Sequence, residues 1–335
     1  MSDSPALNRR SFLGNSVAAL AAGSAVLATG AEGAAPTQVA TAAPANPPAP
    51  HPSGMAYGMI GKVKISRMML GGNLVSGFMH CRDLKYVPQL FRAYVTEEKI
   101  FETFKVCEEN GINTVFESGG AFVQRYNRER GGHMQIIPSV HPAVGQSDTQ
   151  IKDEVKQLVD GGVPAIYVWG VASDQLVRAG KVGMIAKTVE IIKSHGLPAG
   201  VGGHSLQVPM ACEKIQVPCD FYVKTLHTDD YPTAIPKAQR KEYIWIDGGP
   251  GFYDNMWCIN PEETVAFMKT VRKPWIAFKV LAAGAILPKD GFSYAFRNGA
   301  DFIAVGMFDF QIKANCEIVN RVVRNSKTRP RPWYS

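Results

Sequence analysis

The sequence lacks the short motifs that mark several common classes of functional site. Its six cysteines include no C-x-x-C pair, which disfavours a zinc ribbon or a redox-active cysteine pair. No strand-like run is followed by G-x-G-x-x-G, which weakens the case for a doubly wound dinucleotide-binding sheet. We therefore interpret most of the cysteines as small core residues.

The chain also has few charges for its length, and they are scattered. Charged residues make up 19% of the sequence and the net charge is +7, with one basic concentration between Arg321 and Arg331. We interpret this concentration as a solvated tail, residues 326–335, and predict no nucleic-acid partner. Because hydrophobic residues make up 46% of the chain, it can bury a full core.

The N-terminus carries the pattern of an export signal. Arg9 and Arg10 are followed by Ser-Phe-Leu and by a mildly apolar Ala/Gly/Val/Leu run over 15–30. This pattern predicts a twin-arginine signal peptide over 1–33, recognised by the twin-arginine export machinery, and hence a periplasmic or extracellular protein. The run is too short and too rich in Ala and Gly for a stable membrane span. Residues 34–53 are rich in Ala and Pro and are interpreted as a linker.

From Met55 onward, short β-rich runs alternate with amphipathic stretches that carry helix-capping signals. Alternating strands and helices imply parallel strands joined by right-handed crossovers. Eight such units predict a (β/α)8 TIM barrel over 54–325, with a doubly wound sheet as the alternative. The predicted strands are Met68–Asn73, Asn113–Ser118, Gln135–Val140, Ala165–Gly170, Ala199–Gly203, Phe221–Leu226, Trp275–Leu281 and Phe302–Gly306.

Two long loops interrupt this alternation. Residues 74–95 follow the first barrel strand and include His80, and 228–259 follow the sixth strand. Loops of this length in a compact domain are often functional lids or contacts between subunits. The second loop contains Trp245 and Trp257, whose rings either stack on a sugar or pack the loop onto the barrel rim.

Five segments, read in order, resemble the aldo-keto reductases. The segment 55–73 resembles that family's floor hairpin and first barrel strand. The matches continue in Asn110–Glu117 (G-I-N), Gly200–Ser205 (G-V-G-G-H-S), Phe278–Gly284 (F-K-V-L-A-A-G) and Asp301–Met307 (D-F-I-A-V-G-M). The resemblance covers most of 55–320, and it implies an aldo-keto reductase type of TIM barrel and an NADP-dependent oxidoreductase.

The residues at the family's catalytic positions differ from its Asp, Tyr, Lys and His tetrad. Glu117 stands at the Asp position, and the Tyr position corresponds to Phe122 or Tyr126. Ser139–Pro142 occupies the position of the Lys, and Trp169 lies near that of the His. Without the Lys and His, no group lowers the pKa of a tyrosine and polarises a carbonyl in the usual way. Function does not follow from fold across such changes.

Polar residues at the carboxyl ends of the predicted strands provide the alternative sites, because TIM-barrel chemistry lies at that end. The candidate catalytic residues are Glu117, His141 and Lys279. A divalent metal would be held by His204, His227, Glu117 and His141. Candidate substrate-binding residues are Asn73, Asp230, Trp245 and Trp257.

Three chemistries can use these residues. The first is metal-assisted proton transfer. In the second no metal binds, and Lys279 with a histidine performs acid–base chemistry or forms a Schiff base. In the third a nicotinamide cofactor is retained, with backbone N–H groups near Gly284 and Gly306 binding phosphate.

We therefore expect an exported TIM-barrel enzyme that acts on a small polyhydroxylated or carbonyl substrate by metal-assisted proton transfer, as in a lyase, isomerase or hydratase. One alternative is an NADP-dependent oxidoreductase with a non-standard catalytic acid. The other is a secreted sugar-binding barrel without catalytic activity.

Overall fold

Eight short parallel strands close into a barrel in the order expected for alternating strands and helices. The computed structural model describes residues 49–247, 255–326 and 329–335. The barrel strands are β3 (Met68–Gly71), β4 (Thr114–Glu117), β5 (Gln135–Val140), β6 (Ile166–Val168), β7 (Ala199–Gly203), β8 (Phe221–Thr225), β9 (Trp275–Phe278) and β10 (Phe302–Val305). Each pairs in parallel with its neighbour, and β10 closes the barrel on β3. The predicted TIM barrel is confirmed.

Two of the helices between the strands begin at capping residues that the sequence shows. The described helices are α1 (Val87–Tyr94), α2 (Glu97–Glu109), α3 (Gly120–Arg130), α4 (Asp148–Asp160), α5 (Gly170–Arg178), α6 (Val182–Ser194), α7 (Gln207–Lys214), α8 (Pro261–Met268), α9 (Pro288–Arg297) and α10 (Asp309–Asn325). Thr96 caps α2, and Ser147 forms a capping box with Gln150 at the start of α4. The segment after β3 is thus partly helical, because α1 lies within it.

A hairpin closes the end of the barrel at which the strands begin. Strands β1 (Tyr57–Ile60) and β2 (Val63–Ser66) are antiparallel, and Ile60 and Ile65 are fully buried. Both side chains join the cluster of inward-facing residues that includes Met69 and Phe116. Burying each of these side chains contributes roughly 1.5–3 kcal/mol. The hairpin therefore serves as the floor of the barrel core.

The cysteines lie mostly in the core, as predicted. Cys81 is partly exposed, while the other five are buried: Cys107, Cys212, Cys219, Cys258 and Cys316. No helix within the described ranges has the length and apolar character needed to cross a membrane. The predicted signal peptide, and the predicted linker up to residue 48, lie outside the described residues.

The C-terminal segment is packed against the barrel floor, so its interpretation as a solvated tail is wrong. Arg331 is fully buried, and its Nη1 lies 2.5 Å from Oδ2 of the buried Asp301. The Asp301 carboxylate also accepts from the backbone N–H groups of Trp275 and Tyr334, each at 2.9 Å. A buried carboxylate requires such partners, and the C-terminal segment supplies two of them, Arg331 and the Tyr334 N–H. The charge pattern alone does not reveal that Asp301 is buried.

Arg331→Met tests this contact, because it removes the guanidinium group but keeps an apolar side chain. We expect the free energy of unfolding to fall by about 3–5 kcal/mol, since Asp301 would lose its closest buried cation. Urea unfolding followed by circular dichroism measures the change. Arg321→Met on the exposed side of α10 is the control and should stay within about 0.5 kcal/mol of the wild type. Equal stability of the two variants would contradict the proposed role of the tail.

Candidate active site

Strand β7 consists largely of glycine up to the barrel mouth, by which we mean the carboxyl ends of the eight barrel strands. A Cβ on Gly200 would lie 2.3 Å from the Phe221 ring, and one on Gly202 would lie 2.8 Å from the Val168 carbonyl oxygen. Larger residues therefore do not fit, because neighbouring strands already fill the barrel. The first residue of this segment to place a large side chain at the mouth is His204, directly after β7.

His204 is held by a buried carboxylate on α5. Its Nδ1 lies 2.9 Å from Oδ2 of Asp174, and Asp174 also accepts from the backbone N–H groups of His204 and Ser205. Asp174 is fully buried and His204 is 7% exposed. Aromatic rings flank the imidazole: the Trp245 ring centroid lies at 4.2 Å and that of Phe278 at 5.1 Å. The ring is therefore fixed in position and largely removed from water.

Burial and nearby cations keep this imidazole neutral. Burial has the largest effect in lowering the pKa of His204 well below its usual value, followed by the charges of Lys279, Lys224 and His80. Burial raises the pKa of Asp174 well above its usual value, and its backbone N–H donors and Lys224 offset only part of this effect. A neutral ring that donates from Nδ1 to Asp174 presents Nε2 as an acceptor. His204 is thus suited to act as a general base.

A second pair of polar groups comes from two other elements of the mouth. Lys279 directly follows β9, and its Nζ lies 2.7 Å from Nε2 of His80, in the loop after β3. The same Nζ lies 4.0 Å from the centroid of the Trp257 ring, and the His80 ring lies 4.7 Å from it. This arrangement holds the ammonium group between an imidazole acceptor and an aromatic face.

Two of the predicted catalytic residues have left-handed backbone conformations. Lys279 has φ 59° and Glu117 has φ 81°. A left-handed residue other than glycine costs of order 1–3 kcal/mol, and such strain is concentrated at functional sites. Both residues directly follow or end a barrel strand, where TIM-barrel active sites lie. The strain therefore agrees with a functional role for this rim.

Glu117 and His141 lie in a third group, connected by Trp169. The Trp169 Nε1 donates to Glu117 at 2.8 Å, and the Trp169 ring packs edge-on against His141 at 5.1 Å. The Nδ1 of His141 lies 2.7 Å from Glu154, and its Nε2 lies 3.1 Å from the Ser139 hydroxyl. Each of these predicted catalytic side chains thus already has close polar partners within the protein.

The predicted metal ligands are not brought together. His227 is fully buried; its Nε2 accepts from the N–H groups of Trp257 and Cys258, and its Nδ1 lies 2.8 Å from the Thr228 carbonyl oxygen. Burial lowers its pKa to about 4. Within residues 49–247, 255–326 and 329–335, no three His, Cys, Asp or Glu side chains are grouped closely enough to hold a metal ion. The predicted set of His204, His227, Glu117 and His141 therefore does not fit a metal centre.

The predicted substrate-binding residues fall into two sets. Trp245 and Trp257 lie at the mouth, against His204 and Lys279 respectively. Asn73 lies in the turn after β3, where its carbonyl oxygen accepts from the N–H of Phe78, and Asp230 is exposed on the loop after β8. Only the two tryptophans thus contact the ionisable residues of the mouth described above.

The groups expected for a nicotinamide enzyme are less well placed. Tyr126 lies on α3, is buried, and donates its hydroxyl to Glu108 at 2.8 Å, so it is not a group of the mouth. Gly284 has φ 82° in a turn after β9, and a Cβ on Gly306 would meet nothing within 4 Å. Phosphate binding by these backbone segments stays a prediction, which titration with NADPH under tryptophan fluorescence would test.

The residues that the sequence analysis missed are those whose role depends on burial. Asp174 occupies the middle of an amphipathic helix, and Glu154 lies on α4, where acidic residues are common on exposed faces. The one available signal for Asp174 is its place in the run G-V-A-S-D-Q-L-V, where apolar residues surround it. His80 was visible as a loop residue, but its pairing with Lys279 was not.

Comparison with known proteins gives the fold and little more. No protein-family model and no curated protein matches the chain. Two structures of a protein described as an aldo-keto reductase from Pseudomonas aeruginosa superpose with TM-scores of 0.53 and 0.52, both at 14% identity, over 80% of this chain and 94% and 96% of theirs. A truncated 3-deoxy-D-arabino-heptulosonate 7-phosphate synthase from Thermotoga maritima aligns over 82% of this chain and 94% of its own at 10% identity, with a TM-score of 0.47. The chain is thus a TIM barrel with an aldo-keto reductase-like fold.

The neutral state of His204 can be tested without a substrate. We expect Lys224→Met to raise the pKa of His204, because it removes a positive charge that disfavours the protonated imidazole. NMR titration of the histidine ring protons measures this pKa, and His204→Gln assigns the resonance. Lys214→Met, at an exposed position of α7, is the matched control and should leave the titration unchanged. An unchanged His204 titration in Lys224→Met would contradict this account of the electrostatics.

Proposed function

We propose that this protein is an enzyme that transfers protons on a small polyhydroxylated or carbonyl substrate without a metal ion. His204 is the general base, Asp174 orients it, and Lys279 with His80 stabilises the negative charge that develops on the substrate oxygen. The observation that carries the proposal is the buried His204, held by Asp174 at 2.9 Å, with the Phe278 ring close to both His204 and Lys279. This pairing of an uncharged base with a nearby cation suits removal of a proton next to a carbonyl group.

The side chains around His204 and Lys279 support a small, partly apolar substrate. The rings of Trp245 and Phe278 lie next to His204. The rings of Trp257 and Phe278 lie next to Lys279. Rings of this kind can pack against the C–H face of a sugar-like molecule. A sugar-binding protein without activity would be better served by neutral amides than by a desolvated His–Asp pair, because burying that pair is costly.

Hydrogen–deuterium exchange into a carbonyl compound tests the role of His204. The protein is incubated in D2O with dihydroxyacetone, D-glyceraldehyde or pyruvate, and NMR follows the loss of C–H signal next to the carbonyl. We expect His204→Gln to slow exchange by about 10²–10⁴-fold, the usual contribution of a general base. His195→Gln, at an exposed position after α6, is the control and should exchange at the wild-type rate.

The same assay separates this proposal from the metal hypothesis. Protein treated with a chelator should exchange at the untreated rate, because the proposed step uses His204 and Lys279 and no metal ion. An exchange rate that depends on added divalent metal, or one that is equal in His204→Gln and the wild type, would contradict the proposed mechanism.

Export is the second part of the proposal. The support is the arginine pair and the mildly apolar run in the sequence. We expect replacement of Arg9 and Arg10 by lysine to hold the protein in the cytoplasm, because the export machinery reads the arginine pair. Cell fractionation and immunoblotting measure the distribution. Replacing Lys327 by Arg at the other end of the chain is the control, and export of the dilysine variant at the wild-type level would contradict the assignment.

A further inference from the structure

We propose that Lys279 forms a Schiff base with the carbonyl carbon of a small hydroxylated aldehyde or ketone, and that His204 then takes the proton from the adjacent carbon. This inference rests on the proton transfer by His204 in the proposed function above, and it adds a covalent step that replaces the stabilisation of a substrate oxygen by Lys279. It assigns Lys279 a bond to the substrate, where the proposed function requires only its charge.

The first support is the position of the amine. Lys279 is the first residue after β9, at the barrel mouth, and its Nζ lies 2.7 Å from Nε2 of His80. A lysine becomes a nucleophile when a neighbouring group accepts its proton. An imidazole at hydrogen-bond distance takes up such a proton when its ring is neutral, and it can return the proton to a departing hydroxyl.

The second support is that the surroundings of this amine stabilise a positive charge. The ammonium form and the protonated imine each carry one positive charge, so the Trp257 ring, 4.0 Å from Nζ, stabilises both ends of the reaction. An aromatic face attracts a diffuse cation as well as a compact one, which suits a cation that becomes delocalised.

The covalent step balances without any further reactant. The Lys279 ammonium passes one proton to His80, and the amine nitrogen forms a bond to the carbonyl carbon while the carbonyl electron pair moves to oxygen. A proton passes from nitrogen to that oxygen, and His80 then protonates the hydroxyl, which leaves as water. One ammonium group and one carbonyl group thus give one protonated imine and one water molecule.

The third support is the place of His204 relative to this amine. The Phe278 ring contacts both groups: its centroid lies 5.1 Å from that of His204 and 5.9 Å from Lys279 Nζ. The Lys279 charge is also close enough to His204 to lower the pKa of the imidazole. A protonated imine withdraws electrons from the adjacent C–H bond, so the neutral base acts on a carbon that has become more acidic.

The buried Lys224 is unsuited to this step. Lys224 pairs with Gly203 of the neighbouring strand, and side chains at paired positions point to the same face of the sheet. A Cβ added to Gly203 would meet Val208 of α7, outside the barrel, so the Lys224 side chain lies on the outer face of β8. Its Nζ is held by the carbonyl and hydroxyl oxygens of Thr225, at 3.0 and 2.8 Å, and the residue is 1% exposed. Of these two lysines, Lys279 is the one at the mouth.

Reductive trapping tests the proposal. The full protein is incubated with dihydroxyacetone, D-glyceraldehyde or pyruvate and then with sodium borohydride, whose hydride converts an imine into a stable secondary amine. We expect peptide mass spectrometry to find the adduct on Lys279, at a stoichiometry at least about 10-fold above that on Lys289, an exposed lysine of α9. The adduct should be absent in Lys279→Arg and unchanged in Lys289→Met, with thermal unfolding showing that both variants fold.

The outcomes separate this inference from the proposed function. An adduct confined to Lys279, together with slower trapping in His80→Gln, supports the Schiff base. Exchange that depends on His204 without any adduct at Lys279 overturns the Schiff base and leaves the proton-transfer function standing. Equal modification of Lys279 and Lys289 indicates non-specific reaction with amines and also overturns it. Lack of both exchange and adduct overturns both proposals.

Discussion

Asp174 carries a carboxylate with no contact to water, and much of the barrel mouth is arranged around satisfying it. The N–H groups of His204 and Ser205 point at its oxygens, which fixes the backbone directly after β7. The His204 ring completes the set of donors and thereby acquires one orientation. A buried carboxylate is costly unless such donors are present, so the burial of Asp174 and the geometry of His204 require each other.

Helix α5, which carries Asp174, also connects the Asp174–His204 pair to the loop after β8 that covers it. Arg178, one turn after Asp174 on α5, forms an ion pair with Asp247 and lies over the Tyr243 ring. Ser205 donates to Glu242 of that loop, and Trp245 from the same segment packs on His204. Helix α5 therefore positions both the base and its cover. Since His204 is kept neutral by burial and by lysine charges, loss of this cover would change its chemistry as well as its accessibility.

The sequence predicted the barrel well because the signals for strands and helices are local. Capping residues such as Thr96 and Ser147, and β-rich runs between them, define elements without knowledge of their neighbours. It predicted that His204 and Lys279 would lie at the mouth, since strand ends converge there, and it named Trp245 and Trp257 as candidate substrate-binding residues of a long loop. It could not predict Asp174 or the burial of Arg331, because whether a charged residue is buried depends on packing between distant parts of the chain. It could not predict where two of the proposed metal ligands lie for the same reason: His227 and His141 are bonded to partners that spacing does not reveal.

The position of the ionisable groups around the rim shows which part of an aldo-keto reductase-like barrel the proposed proton transfer would use. The resemblance places the family's tetrad at β4, β5 and β6, but here Glu117, His141 and Trp169 are bonded to one another or to Glu154 and Ser139. The groups suited to proton transfer instead follow β7 and β9, with His80 from the loop after β3. The barrel order brings β9 near β3 through β10, so a residue of the first loop can reach Lys279. A closed barrel offers equivalent positions at every strand end, and a site can therefore arise at a different arc of the same rim while the core is preserved.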